Sequence, residues 1–375
     1  MIKRTLYDIV SKRLFKGKTI LIIGPRQVGK TTLIREVLKG QKILFLDGDD
    51  PTVRERLTNP NTIELATLIG KDKIVFIDEA QRIENIGLTA KIIHDQFTEI
   101  QLILSGSSAF ELRNTTSEPL TGRKFEYFLL PISYEEYENA NGFLDASRDL
   151  ENRLIYGFYP DVINNRGDER EVLNAISDSY LFKDILAFAN IKKPEVLEKI
   201  LRALAFQVGN EVSYNKIAQL TGVDKNTVST YIHLLELSYI VYPLSSFSRN
   251  LRNEIKTNKK IYFYDNGIRN SVIQNFNPVE LRNDIGALWE NFLMTERLKR
   301  NQYHQKHCNR YFWRTKQQQE IDYVEEANGE IIGYEFKWNK NANVKIPANF
   351  ANTYNAKVEV ISKENFRSFV GIDQA

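Results

Sequence analysis

The chain has 375 residues, 42% hydrophobic and 26% charged, an ordinary globular composition that excludes wholesale disorder and predicts two or three domains. Cys308 is the single cysteine, so an internal disulfide framework and a Cys-rich zinc site are excluded and a reducing compartment fits. The opening residues lack a long apolar segment, and no run approaches the roughly 20 apolar residues of a membrane helix; the expectation is a cytoplasmic protein with no membrane partner. The net charge of +3 is small, but residues 241–320 hold 14 Lys or Arg against 7 Asp or Glu. Such a basic stretch suits nucleic acid as well as it suits plain solvated faces.

Five β-rich runs open the chain: TILIIG (19–24), KILFLD (42–47), KIVFID (73–78), QLILSG (101–106) and FEYFLLP (125–131). Continuous apolar runs separated by helix-length segments predict an α/β fold with a parallel sheet covered on both faces. The polar stretch 139–149 predicts a loop or domain boundary. Residues 150–205 read as helical apart from the break at Tyr159-Pro160. Short helices and a β-rich run follow over 206–245, and beyond 280 a long helix gives way to strands.

Gly24-Pro25-Arg26-Gln27-Val28-Gly29-Lys30-Thr31 fits the pattern GxxxxGK[ST], with a strand before it and a helix after it. Glycines let the backbone turn tightly and aim successive N–H groups at phosphates, at a helix N-terminus whose partial charge favours anions. The motif assigns residues 24–31, with Thr32, to nucleotide binding. Lys30 is expected on the β- and γ-phosphates and the Thr31 hydroxyl on magnesium. The run 73–79 ends in two carboxylates: Asp78 is the expected magnesium partner and Glu79 the group that polarises the attacking water. Gln81 reads equally as a cap or a solvated residue. Ser105, Ser107 and Ser108 end the fourth run, where one of them can sense the γ-phosphate or merely cap a helix. Arg123 is expected either to stabilise transition-state charge, in its own subunit or a neighbour's, or to form a surface ion pair.

The loop GPRQVGKTT, the strand end FIDEAQ, the segment SGSSAFEL and the stretch LTGRKFEYFLLPISYEEY resemble the AAA+-type P-loop ATPases of bacteria and archaea that carry a C-terminal domain of unassigned function. The phrases IYFYDNGIRN, GALWENFLMTE and EIDYV…GYEFKW are similar to that second domain. The resemblance implies ATP binding and hydrolysis.

Residues 211–242 have helix-turn-helix spacing, with Gly222 in the turn, Asp224 as a cap and apolar positions 217, 220, 228, 232 and 235 for the core. A wing strand is expected near Tyr239–Tyr242. The second helix would expose Lys225, Asn226, Thr227, Ser229 and Thr230 to phosphates or base edges, unless the module serves packing alone. Further on, Glu290 in a helix, Asp322 in a strand, and Glu335 and Lys337 two apart in the next strand resemble the PD-(D/E)xK nuclease fold. Strand alternation puts Glu335 and Lys337 on one face beside Asp322, an arrangement able to hold a second magnesium ion. Arg297, Lys299, Arg300 and the run 311–314 could follow a nucleic-acid backbone. The four histidines are scattered; His304 and His307 are the one conceivable metal pair.

The resulting expectation is an AAA+-type P-loop ATPase core (1–140), a helical lid (150–205), a winged helix (206–250) and a nuclease-like α/β domain (255–375). ATP and magnesium are the expected cofactors, with DNA and further copies of the chain in a ring as expected partners. A nucleotide-switched regulatory or antitoxin-like module is the alternative.

Overall fold

The computed structural model describes residues 2–107, 116, 118–177, 191, 193–248, 259–339 and 346–372. It divides into two compact units, residues 1–131 with 237–239, and residues 132–236 with 240–375.

In the first unit the strands β1 (Thr19–Ile23), β2 (Leu44–Asp47), β3 (Ile74–Asp78), β4 (Gln101–Gly106) and β5 (Lys124–Phe128) form one sheet in the order β2-β3-β4-β1-β5. Every pairing is parallel. The three central strands β1, β3 and β4 are buried at every position, whereas β5 at the edge is half-buried throughout. This is why the central strands read as unbroken apolar runs. One core cluster joins Leu21, Ile23, Val75, Ile77, Leu102 and Leu104 to helical Leu57, Leu65, Ile86 and Ala90. The strand order reverses beside β1. The crevice at the carboxyl ends of β1, β4 and β3 is therefore where a sheet of this kind takes a ligand.

The second unit begins with the helix Tyr134–Asn141, closed at its start by a reciprocal cap: Ser133 Oγ accepts from Glu136 N at 3.1 Å and Glu136 Oε2 accepts from Ser133 N at 3.0 Å. Gly142, at φ 85°, is all that separates it from the helix Phe143–Tyr156. The stretch 139–149 is thus two helix ends rather than a loop, and the boundary lies at 131/132. Pro160 opens a short helix, so the Tyr159-Pro160 break is real. The helices Glu169–Ile176, Pro194–Phe206, Tyr214–Thr221 and Lys225–Leu237 follow.

Strands β6 (Glu211–Val212), β7 (Val241–Ser246), β8 (Lys259–Phe263), β9 (Asn309–Arg314), β10 (Glu320–Ala327), β11 (Glu330–Phe336) and β12 (Lys357–Ile361) form one mixed sheet, β12-β11-β10-β9-β7-β8-β6. Strands of the expected winged helix thus share one sheet with strands of the expected C-terminal domain. β7 pairs antiparallel with β8 and parallel with β9 through Ser245↔Tyr311 and Ser246↔Phe312, so backbone hydrogen bonds run straight across the expected border at 250/255. The 19-residue helix Ile285–Tyr303 is tied to this sheet at Phe263, whose N–H and carbonyl bond Asn291 at 2.8 and 3.0 Å.

Candidate functional site

The phosphate-loop residues 24–31 leave the carboxyl end of β1 and enter the helix Lys30–Val37 through Gly29, at φ 89°. Gly24 is required by close approach: a Cβ there would stand 1.9 Å from the Leu129 carbonyl oxygen. Lys30 is buried, and its ammonium donates to the Gly24 and Pro25 carbonyls at 3.0 and 2.8 Å. Thr31 lies in the helix's first turn, and Thr32 beside it is exposed.

Strand pairing assembles the rest. Ile22 of β1 is level with Ser105 of β4, and Ile77 of β3 with Leu104 of β4, so Asp78 ends beside Ser105. Asp78 Oδ2 accepts from Thr31 Oγ1 at 2.6 Å, and Asp78 Oδ1 accepts from Ser105 Oγ. A carboxylate and a hydroxyl in contact beside a helix N-terminus are the hard oxygen donors magnesium takes, and they fit it. Glu79 leaves the strand with φ 44° and ψ 43°. Its Oε2 accepts from Gln81 Nε2 at 2.5 Å and Ser107 Oγ at 2.9 Å, and Gln81 also donates to Ser107 Oγ at 3.0 Å. Burial alone would raise the Glu79 pKa. The Lys30 charge, the bonds from Gln81 and Ser107 and the Arg26 charge outweigh that and hold it below the usual glutamate value. Gln81 is buried within this group and is neither a cap nor a solvated residue. The third residue after Asp78 in DEAQ was the available signal. Ser108 lies outside the described residues.

Arg123 is elsewhere. Its carbonyl accepts from Thr19 N at 2.9 Å, at the start of β1, whereas the loop leaves the other end. At about 3.3 Å per strand residue that is a separation of roughly 16 Å, beyond reach of a phosphate bound by the same chain. Its Nε pairs with Asp95 at 2.8 Å. This placement sets Arg123 at the end of β1 opposite the loop of its own chain.

In the second unit, Asp224 caps the helix Lys225–Leu237, accepting from Asn226 N at 2.8 Å, Thr227 N at 3.0 Å and Thr227 Oγ1 at 2.6 Å. Ile217, Val228, Ile232 and Leu235 are buried as expected, but Leu220 is 73% exposed. Lys225, Asn226, Ser229 and Thr230 are exposed, while the Thr227 hydroxyl is engaged in the cap.

The C-terminal carboxylates come together, but around a cation the sequence reading missed. Lys260 Nζ, 1% exposed, donates to Glu290 Oε1 at 3.1 Å and pairs with Glu320 Oε1 at 2.6 Å. Tyr262 OH donates to Glu290 Oε1 at 2.6 Å. Asp322 Oδ2 accepts from Phe336 N at 2.9 Å, and Lys337 Nζ donates to Glu335 Oε2 at 3.0 Å. Burial opposes charge on Lys260, but Glu290, Asp322 and Glu320 prevail and raise its pKa. Burial pushes Glu290 up to about 7, with Asp322 adding to the rise against the pull of Lys260. Glu335 also rises to about 7, through burial and then Asp322. Among the described residues no group of three or more His, Cys, Asp or Glu is placed to hold a metal ion. Of the residues expected to hold a second metal, Glu290, Asp322 and Glu335 each have one oxygen engaged by Lys260, a backbone N–H or Lys337. Lys260 and Tyr262, two apart on β8, share a face; that alternation was the only local sign.

The basic run is also spent internally. Arg297 forks onto Glu325 at 2.8 and 2.6 Å, Lys299 donates to Glu296 and to the Ile132 carbonyl, and Arg300 bonds the Ser368 and Phe369 carbonyls. Phe312 and Trp313 are buried. These residues do not form the expected backbone-tracking surface. His304 Nε2 lies 3.2 Å from Glu135.

Residues 16–138 match the AAA domain family, and residues 147–279 and 285–369 match two families described as domains of unknown function (DUF8612 and DUF4143). An uncharacterized protein of Mycobacterium tuberculosis is 26% identical over 336 residues, covering 87% of this chain and 71% of that one. An uncharacterized protein of Haemophilus influenzae is 27% identical, covering 68% of each. A crystal structure of a signal transduction ATPase with numerous domains from Pyrococcus horikoshii is similar at 12% identity and a TM-score of 0.30. That likeness covers 80% of this chain but only 45% of that one, and carries no weight for function. The AAA-domain match covers most of the first unit. Among the described residues no helix is long and apolar enough to cross a membrane.

Proposed function

We propose that the chain binds ATP with magnesium at residues 24–31, hydrolyses it, and couples turnover to a conformational change on DNA. The observation that carries the ATPase reading is the convergence of Thr31, Asp78 and Ser105 at the carboxyl ends of β1, β3 and β4, with Glu79 held beside them. Loop N–H groups and Lys30, on leaving the Gly24 and Pro25 carbonyls, bind the phosphates. Thr31 and Asp78 hold magnesium, which when bound neutralises developing phosphate charge. Glu79, kept ionised by its surroundings, accepts a proton from the attacking water, and Gln81 and Ser107 aim its carboxylate. Arg123, out of reach of its own chain's phosphates, serves a neighbour's nucleotide in a ring.

DNA is favoured by the exposed Lys225, Asn226, Ser229 and Thr230 on the second helix of the helix-turn-helix pair. The antiparallel strands β6, β8 and β7 around that pair support the winged-helix reading. The helix bearing Glu290, packed by strands that carry Asp322 and Glu335-x-Lys337, supports the nuclease-like one. The test is the ATPase rate with and without double-stranded, single-stranded and branched DNA across a salt series. Stimulation that fades as salt rises is expected. An unchanged rate without salt-sensitive binding would turn the assignment to a nucleotide-switched regulator.

A further inference from the structure

Arg4 lies outside every motif, yet it is 8% exposed and spans two parts of the first unit. Its Nη1 donates to the carbonyl of Val28, inside the phosphate loop, at 2.7 Å, and its Nη2 donates to the carbonyl of Leu130 at 2.6 Å. Leu130 is two residues past the end of β5 and one before Pro131, where the first unit ends. The same strand end meets the loop again at its start: Leu129 N donates to Ile23 O at 2.8 Å, and the Leu129 carbonyl abuts Gly24. The chain leaving the first unit is thus fastened to both the beginning and the middle of the phosphate loop.

The loop's carbonyls are held by two cations with different fates. Lys30 holds Gly24 and Pro25, and an arriving phosphate draws that ammonium away. Arg4 holds Val28 and Leu130 through two different nitrogens of one rigid planar fork, a spacing that a lysine's single nitrogen does not reproduce. We infer that Arg4 is the residue that carries a nucleotide-driven change in the phosphate loop to residues 129–131, the exit of the chain from the ATPase unit. Beyond the exit, Tyr134 N is held by Glu296 Oε2 at 2.7 Å and the Ile132 carbonyl by Lys299 Nζ at 3.0 Å, both on the helix Ile285–Tyr303. A shift of residue 130 therefore reaches anchored backbone within two residues of chain.

This inference rests on the ATP-binding reading, and the experiment separates the two. Amide hydrogen exchange over residues 128–136 is measured in the full chain, with and without magnesium and a hydrolysis-resistant ATP analogue, for the wild type, Arg4→Met and Arg4→Lys. Nucleotide affinity is titrated in parallel. In the wild type the analogue is expected to change exchange there by about threefold or more, local opening being set by such backbone bonds. Arg4→Met is expected to bind the analogue within about fivefold of the wild type while losing most of that change, and Arg4→Lys to fall between. An equal response in Arg4→Met, or loss of nucleotide binding in both variants, overturns the role of Arg4 as carrier. If Arg4→Met does not fold, a full response in Arg4→Lys overturns it equally. A wild type that binds no analogue overturns the underlying reading instead, and is recognised without any variant.

Discussion

Two carboxylate groups, one in each unit, are built from the same residue types and do opposite things. In the first, Asp78 and Glu79 face hydroxyls and an amide, from Thr31, Ser105, Ser107 and Gln81, and the nearby ammonium of Lys30 rests on backbone carbonyls it can leave. Each of those partners can give up its bond to an incoming ion, water or phosphate. In the second, Glu290 and Glu320 close on Lys260, which is buried and has nowhere else to go. A carboxylate group with neutral, exchangeable partners is fitted to a ligand, and one neutralised by a buried side chain is fitted to hold a fold. Acidic residues at suggestive spacings do not distinguish the two; what the nearby lysine rests on does, backbone carbonyls for Lys30 and the carboxylates themselves for Lys260.

The sharpest way to break this contrast is in the first unit. Lys30→Ala is expected to lower ATP turnover by about 10²–10³-fold, the usual loss when a donor to developing charge is removed. Steady-state hydrolysis at the wild-type rate would contradict the loop assignment. Glu79→Gln is expected to retain ATP while turnover falls by about 10²–10⁴-fold, because the amide keeps the bonding shape but takes no proton; nucleotide titration beside single-turnover kinetics separates binding from chemistry.

In the second unit the same kind of deletion should cost stability rather than activity. Lys260→Met leaves buried carboxylates without their cation and is expected to destabilise this unit by about 3–5 kcal/mol, while nucleotide still binds the first. Denaturant unfolding followed through both units would show otherwise if Lys260 were dispensable. The rise of Glu290 and Glu335 to about 7 sets a milder effect. Each folded-state pKa lies above the unfolded value, so the folded chain binds more protons between about 4.5 and 7. Their contribution to stability is complete below that window and is lost as pH rises through it. Glu290→Gln should flatten this part of the profile, and thermal midpoints from pH 5 to 8 that decline as in the wild type would refute it.

The smallest structural effect belongs to Arg123. Its ion pair with Asp95 is more than a third exposed on the Arg123 side, so Arg123→Ala should change stability by about 0–1 kcal/mol. A large loss of ATPase activity at an unchanged melting temperature, rescued by mixing with Lys30→Ala subunits, would place the guanidinium at a neighbour's nucleotide. Unchanged activity would leave it a surface pair.

The sequence by itself determined what neighbouring residues settle among themselves. The strands of the first sheet, the loop 24–31, the Asp78-Glu79 strand end and the Asp224 cap all depend on contacts a few residues apart or on periodic burial, and so are written locally. Tertiary structure decided the rest, because the deciding partner lies far along the chain. Lys260 meets Glu290 thirty residues away, Arg4 meets Leu130 across 126, and Gln81 meets Ser107 across 26. The same distance in sequence hid a link across the expected module borders: β7 finds β9 some sixty residues later, and hydrogen bonds across a sheet take no account of where a helix pattern ends. It also turned Arg297 and Lys299 from a supposed nucleic-acid face onto Glu325 and Glu296, and Arg300 onto backbone carbonyls, since a charge drawn out of water needs a counter-charge or a carbonyl to offset its desolvation. A cation's role follows from what it meets, and only the folded chain sets that.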